Sequence, residues 1–184
     1  MHYRLKKKIP YSKIIHYTVG RFIGSEIVEQ SDKRILIKYI TKEAHEDFKV
    51  VIRRIFRLLV ELCANFAKAM ERNDIVFMAT MDQQHDNINK FVSYCFRLFN
   101  KFGYPDVKKT YFYYHIMAQI ELIVDILKYT ARDVVKNEKK IDKKTLEIIN
   151  YVPELVNMYY KLYYDFDYSL VHNICQKRDE GKER

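Results

Sequence analysis

Tryptophan is absent from this 184-residue sequence, and glycine, proline and cysteine are scarce, with 4, 3 and 3 copies. So few glycines and prolines leave no flexible, low-complexity or proline-rich linker that would divide the chain. A chain of this length hides roughly two thirds of its unfolded surface on folding, which suffices for one well-formed core. With 48% hydrophobic residues, the composition predicts one mainly helical core.

The three cysteines, Cys63, Cys95 and Cys175, lie far apart, each within an apolar helical pattern. This spacing argues against a disulfide framework and a paired-cysteine zinc motif, and it favours a reducing compartment. Long apolar runs are also missing, because no window approaches the ~18 uninterrupted apolar residues of a membrane span. The basic start of the chain has no apolar segment after it. We therefore expect a soluble, cytoplasmic protein without a transmembrane segment.

Groups that would carry catalysis are missing as well. The sequence has no glycine-rich loop with the flanks of a phosphate-binding motif. Its serines lack a nucleophile-elbow context, and its cysteines lack an evident histidine or asparagine partner. The sequence therefore predicts a protein that is not an enzyme.

The formal net charge is +9, from 33 basic and 24 acidic residues. The excess is concentrated at the start, where residues 1–40 hold nine Lys or Arg against three Asp or Glu. Such a segment would attract nucleic acid, an acidic protein or an anionic membrane surface. A solvated lysine-rich surface explains the same count, since a count does not show that the charges converge in space.

Residues 1–41 are predicted to form a helix and a β-hairpin attached to the rest. Pro10 and Ser12 precede apolar residues at helical spacing, which indicates a short helix ending near Gly20 to Gly24. One predicted strand precedes the polar Ser31-Asp32-Lys33 and another follows it. In the second strand, Ile35, Ile37 and Tyr39 occupy every other position. That arrangement is typical of a hairpin.

Residues 42–177 are predicted to form an antiparallel up-down helical bundle. Asn73-Asp74 and Gly103-Tyr104-Pro105-Asp106 supply the stops between helices, and Asp142 caps a last helix that Pro153 should kink. Helices whose apolar residues recur about every 3.5 positions, and which are joined by short connections, bury their apolar faces best by packing antiparallel. Residues 178–184 are predicted to fray. The stripes run Phe48, Ile52, Ile55, Leu59, Leu62, Phe66, Met70; Met78, Met81, His85, Ile88, Val92, Cys95, Phe99; Tyr113, Ile116, Ile120, Ile123, Leu127, Thr130, Val134; and Leu146, Ile149, Val156, Tyr163, Phe166, Leu170, Ile174.

Several segments, in order over roughly residues 10–175, resemble archaeal PhoU-like regulators of phosphate uptake. That family has a G-x-E-I-x-E strand, a basic hairpin, a helix with an Arg-Arg pair, and then a repeat of three helices. The resemblance implies a PhoU domain without the AbrB-type DNA-binding domain that many relatives carry. The matching segments are Phe22 to Glu29, Arg34 to Ile37, Ile52 to Ile55, Glu71 to Asp74, Met81 to Asp86 and Ile120 to Asp125.

The hallmark of a PhoU repeat is a pair of Glu/Asp-x-x-x-Asp motifs on adjacent helices, which in some members bind iron or zinc clusters. The matching positions are Asp82 with Asp86, and Glu121 with Asp125. Residues four apart lie on one helix face, so each motif presents two carboxylates side by side. If the helices are antiparallel neighbours, the four carboxylates would converge, and a bound cation would relieve their repulsion.

Two alternatives to the metal site remain open on the sequence. Salt bridges to Lys90 and Lys128, or simple solvation, would satisfy the same carboxylates. His85 could add an imidazole ligand, but it lies in the apolar stripe and is better interpreted as a core histidine with a local hydrogen bond.

The resemblance implies an adaptor that binds a protein of a phosphate transport or signalling system. Exposed aromatic residues on the last helix, Tyr159, Tyr160, Tyr164 and Tyr168, suggest a homodimer. The alternative function is a nucleic-acid-binding transcriptional regulator that uses the basic first 40 residues, and a third is a helical scaffold that stores or senses metal ions.

Overall fold

The protein is mainly helical in a computed structural model that describes residues 2–4, 12–31, 34–40, 47–104, 106–137 and 141–182. These residues form three strands, β1 (His2–Arg4), β2 (Ser25–Gln30) and β3 (Arg34–Tyr39), and seven helices. The helices are α1 (Ser12–Gly20), α2 (Asp47–Arg72), α3 (Ile75–Ala79), α4 (Met81–Phe102), α5 (Val107–Asn137), α6 (Lys143–Tyr164) and α7 (Tyr168–Lys182). The mainly helical prediction is confirmed. Across the described ranges, no helix is both long and apolar enough to span a membrane.

The predicted hairpin is present as β2 and β3, which pair antiparallel with Ile27 opposite Ile37. The register shifts between Ile27 and Glu29, so Val28 is an extra residue of a β-bulge. The backbone N–H of Ser31 donates to the carbonyl of Arg34 over 2.8 Å and closes the turn. Asp32 and Lys33, the rest of the predicted turn, lie outside the described residues.

The sheet has a third strand that the periodicity did not predict. β1 pairs antiparallel with β3, with Tyr3 opposite Ile35, so β3 is the central strand. The helix α1 confirms the predicted short helix and packs beside β2, where His16 Nε2 lies 2.6 Å from Gln30 Oε1. Pairing on both edges of β3 satisfies its backbone groups and favours an ordered strand.

Two of the predicted stops end helices through a left-handed residue. Asn73, with φ 51°, ends α2, and Gly103, with φ 66°, follows α4. Asparagine and glycine tolerate this conformation best, which is why they close helices. The Asp74 side chain then accepts the N–H of Phe77 and caps the short α3. A further break at Thr80 separates α3 from α4 and was not predicted.

The predicted last helix is wrong as a single element, because it is two helices. Asp142 caps α6 as expected, accepting the N–H of Thr145 over 2.9 Å, and Pro153 lies inside α6. The chain then leaves the helix at Asp165, and Asp167 accepts the N–H of Ser169 over 2.9 Å. A second N-cap of this kind starts a new helix.

α7 continues to Lys182, so residues 178–182 are helical. Lys177, Arg178 and Glu180 are good helix formers, which favours this continuation. Fraying of residues 178–184 stays a prediction. Residues 183–184 lie outside the described part.

The chain divides into two compact units. The first comprises Met1–Ile52 and Asn89–Met117, and includes the predicted attachment 1–41. Its aromatic core centres on Phe48, whose ring centroid lies 4.7 Å from that of Phe99 and 5.2 Å from that of Tyr113. Arg97 on α4 donates to the carbonyl of Ile23 over 2.6 Å and to the hydroxyl of Tyr39 over 3.1 Å, which ties the sheet to this core.

The second unit comprises Arg53–Ile88 and Ala118–Arg184. The α6 and α7 helices pack on each other, with an ion pair between Lys177 and Glu154. One turn earlier on α6, Asn150 donates to Glu71 of α2 over 2.8 Å. The fully or nearly fully buried side chains of this unit include Ile55, Leu59, Leu62, Cys63, Phe66, Met70, Met81, Ile88, Ile120, Val124 and Ala131.

Candidate functional site

The four predicted site residues lie on α4 and α5 within the second unit. Met81 and Ile88 of α4 are buried, as are Ile120 and Val124 of α5. Because these apolar residues face the core, the neighbouring carboxylates are placed at its polar margin. The two helices contact each other here in opposite directions, since Asp82 meets Arg132 while His85, three residues further along α4, meets Asp125 and Lys128.

Lys128 forms the centre of the polar contacts between the two helices. Its Nζ lies 2.5 Å from Asp125 Oδ1 and 3.0 Å from His85 Nε2. The side chain is buried, with 7% of its surface exposed. A buried ammonium is costly unless it donates hydrogen bonds to well-placed acceptors, so these contacts explain how Lys128 is accommodated.

His85 links Lys128 to a second carboxylate. Its Nε2 lies 3.0 Å from the Lys128 ammonium, and its Nδ1 lies 3.1 Å from Asp86 Oδ1. Asp125 Oδ1 lies 2.8 Å from the same Nε2, so the ring contacts one ammonium and two carboxylates. His85 is thus a largely buried histidine with a local hydrogen bond, as the sequence favoured.

The carboxyl of Asp125 is held in its charged form. The hydrogen bond from Lys128 lowers the pKa of Asp125 below its ordinary value, partial burial opposes this effect, and the charge of Lys128 and the contact with His85 add to it. An ionised carboxylate beside an ammonium is the arrangement of a structural ion pair.

Asp82 has a different cation as its partner. The guanidinium of Arg132 donates to Asp82 Oδ1 over 2.6 Å and to Oδ2 over 3.3 Å. This hydrogen bond raises the pKa of Arg132. Both side chains are more than half exposed, so the ion pair contributes little to the free energy of folding and serves mainly to orient α4 and α5.

Glu121 stands apart from the other three positions. It is half-buried on α5, one turn before Asp125. Among the residues that the structure describes, it makes no hydrogen bond or ion pair with Asp82, Asp86 or Asp125. The structure therefore brings Asp86 and Asp125 together through His85, and leaves Glu121 outside that contact.

This arrangement does not fit an iron or zinc ion. Over the described ranges, no group of three or more His, Cys, Asp or Glu residues is placed to hold a metal ion. Two carboxylates that a metal would neutralise already have cationic partners, Lys128 for Asp125 and Arg132 for Asp82. The metal site at Asp82, Asp86, Glu121 and Asp125 stays a prediction, and no chemistry is derived from it.

Sequence reasoning named Lys128 as a salt-bridge partner and missed Arg132. Lys128 stands three residues after Asp125, a spacing that brings side chains together on one helix. The other lysine named there, Lys90, has its ammonium 5.4 Å from the ring centroid of Phe91. Arg132 is separated from Asp82 by 50 residues, and only the axial offset of the two helices brings the pair together.

No family model, curated protein or solved structure matches the chain.

Proposed function

We propose that the chain is a non-enzymatic regulator that acts by contact with another protein, in a PhoU-like role in phosphate uptake or phosphate signalling. The observation that carries the contact is on α5, which is apolar on two sides. Its inner side is buried in the second unit through Ile120 and Val124. Its outer side exposes Leu122, Ile126 and Tyr129 at 51%, 55% and 58%. We call these three residues the α5 outer face.

A helix that is apolar on opposite sides is typical of one covered on both sides in its assembled state. The residues of the α5 outer face follow each other at intervals of four and three, so they form one continuous strip. Exposed apolar strips of this kind mark sites of protein contact more often than isolated exposed residues do. The phosphate role comes from the sequence resemblance to PhoU-like regulators.

The first experiment measures phosphate uptake in cells that lack the gene, during depletion and restoration of phosphate. We expect phosphate uptake to stay high in the deletion strain after phosphate is restored. Reintroduction of the wild-type gene should make uptake fall again when phosphate is restored. A triple variant, Leu122→Ser, Ile126→Ser and Tyr129→Ser, should fail to restore control. As a matched control, Val76→Ser and Ile148→Ser also remove exposed apolar side chains from the second unit and should behave as wild type. Phosphate uptake that is the same with and without the gene would refute the phosphate role.

Homodimer formation is a part of the proposal that light scattering tests. Of the aromatic residues named for self-association, Tyr159, Tyr164 and Tyr168 are exposed, while Tyr160 packs with its ring centroid 5.9 Å from that of Phe56. We expect a dimer mass for the wild type. Dissociation of that dimer by the triple variant would assign the α5 outer face to a second copy, and a dimer that survives would leave this face to the phosphate-system partner.

The second candidate function, nucleic-acid binding, is favoured by the nine basic residues among the first 40. Within the described part of that segment, Lys13 and Lys38 are exposed, and Arg34 is 3.5 Å from Glu29. A gel shift over a salt series tests this candidate, because phosphate contacts make affinity fall steeply with salt. Binding that does not change with salt would argue against it.

A further inference from the structure

A surface pocket of about 130 Å³ lies in the second unit, and neither His85 nor Lys128 is among the residues that line it. Its walls are one face of α2, the start of α4, and the ring of Phe77 from α3. Four of the lining residues are apolar and four are polar. The apolar residues are Leu58, Leu62, Phe77 and Ile88, and the polar residues are Glu61, Asn65, Gln84 and Asn87.

Helical spacing explains why the polar residues share this pocket. Glu61 and Asn65 are four apart on α2, and Gln84 and Asn87 are three apart on α4, so each pair projects from one helix face. Leu62 and Ile88, which are buried, lie beside them and form the floor. At the solvent-facing margin of this apolar contact the two helices present one carboxylate and three amides.

The four polar side chains are not used by the fold. None of Glu61, Asn65, Gln84 and Asn87 forms a side-chain hydrogen bond or ion pair with any other residue in the described ranges. Three amides and a carboxylate thus offer five oxygen acceptors to whatever occupies the pocket. Glu61 supplies the only charge among the eight lining residues, which favours a positively charged occupant.

The volume limits the size of that occupant. A cavity of similar volume in another protein accepts a six-carbon ring, which sets the scale for a pocket of about 130 Å³. The occupant therefore has about six non-hydrogen atoms. The Phe77 ring and the leucines suit a short aliphatic stem, and an aromatic ring also attracts a cation that lies over its face.

We propose that this pocket binds a guanidinium group with a short alkyl stem. The planar guanidinium donates several N–H bonds in fixed directions, which suits a set of carboxylate and amide oxygens better than a compact ammonium does. Glu61 is its counter-ion, and Asn65, Gln84 and Asn87 accept the remaining N–H groups. The group comes either from a free small molecule or from an arginine side chain of a bound peptide. The proposal is independent of the phosphate role.

The experiment titrates the full chain with ethylguanidinium, which has six non-hydrogen atoms, and follows the side-chain NH₂ signals of asparagine and glutamine by NMR. Ethylurea is the matched control, because it has the same shape without the charge. We expect saturable shifts at Asn65, Gln84 and Asn87 with ethylguanidinium, and weaker binding of ethylurea. Equal binding of the two compounds would overturn the proposal.

Three variants test the role of charge. Glu61→Gln should weaken ethylguanidinium binding about tenfold, the loss expected for one hydrogen-bonded charge pair. Glu71→Gln, on the same helix, makes the same charge change and keeps the acceptor for Asn150, so it should bind as wild type. Asn65→Asp adds a second carboxylate and should tighten binding, which provides a test that does not depend on a loss of folding. Equal affinities of Glu61→Gln and Glu71→Gln would overturn the proposal, as would an Asn65→Asp variant that binds no tighter than wild type.

A final comparison identifies the source of the group. A capped Gly-Arg-Gly tripeptide that binds more tightly than ethylguanidinium would indicate an arginine side chain from a peptide. Equal or weaker binding of the tripeptide would indicate a free small molecule. Failure of both compounds to bind would overturn the proposal, while leaving the α5 outer face and its test unaffected.

Discussion

Replacement of Lys128 by methionine removes the ammonium and keeps most of the side-chain length. The change removes the donor to Asp125 Oδ1 and the contact with His85 Nε2. Loss of a donor to a buried acceptor costs about 1–3 kcal/mol. Water replaces much of the loss at Asp125, whose side chain is 35% exposed. Methionine also avoids the cost of keeping an ammonium out of water, which offsets part of the loss.

We therefore expect the free energy of unfolding to fall by about 2 kcal/mol in Lys128→Met. For a chain of this length, that corresponds to a decrease in Tm of about 6 °C. Urea unfolding followed by circular dichroism measures the first quantity, and a thermal scan measures the second.

Lys136→Met is the matched control for this variant. Lys136 is on the same helix and carries the same charge, but it is exposed. We expect its free energy of unfolding to stay within about 0.5 kcal/mol of wild type. If Lys128→Met and Lys136→Met unfold at the same urea concentration, the ammonium does not support the contact between α4 and α5, and the reasoning fails.

Acid titration, thiol labelling and core truncation examine other parts of the chain. The pKa of Asp125 is lowered from 3.8, so its ionised form stabilises the fold above pH 3.8 and this effect is lost as the pH falls through the lowered pKa. The difference in free energy of unfolding between wild type and Asp125→Asn should therefore shrink in acid. A difference that grows in acid would contradict this. Burial raises the pKa of Cys63 and of Cys95 to about 12. Iodoacetamide should therefore label only the exposed Cys175 in the native protein. Two or three labels in the mass spectrum would contradict the burial of Cys63 and Cys95. Phe48→Ala should cost about 3–5 kcal/mol in urea unfolding, because Phe48 is 3% exposed, while the same change at an exposed phenylalanine should cost little.

The elements that rest on local pattern were predictable from the sequence. The helical spacing of apolar residues along α2, α4 and α5 reflects one side of each helix facing a core, and that is a property of nearby residues. The end at Gly103 and the start at Asp142 were also predictable, since glycine and aspartate act at helix ends through their own backbone and side-chain chemistry.

The break between α6 and α7 was not predictable from the same pattern. Tyr163, Phe166 and Leu170 continue the helical spacing across the break, so periodicity shows no interruption there. In the structure Phe166 is 64% exposed, and Asp167 caps the new helix. The strand β1 escaped prediction for a different reason, because three residues are too few to show a period and their partner strand begins 30 residues later.

The candidate site divides in the same way. The pairing of Asp125 with Lys128 is local, since the residues are three apart on one helix. The contacts of Asp82 with Arg132 and of His85 with Lys128 depend on how two separate helices are rotated and offset, which no local pattern specifies. Whether carboxylates on adjacent helices meet a metal or a basic side chain is decided by that offset.

A lysine in a helix is part of the chain, whereas a metal ion has to be taken up from solution. Tethering sets the local concentration of the positive group, so dilution, a chelator or a scarcity of metal in the cell does not remove it. Neutralisation of Asp125 is therefore completed as soon as this turn of α5 forms, without the uptake of an ion. Chemistry at the lysine itself, such as acetylation, would cancel the charge, and the position of Lys128 below the surface protects it from such modification.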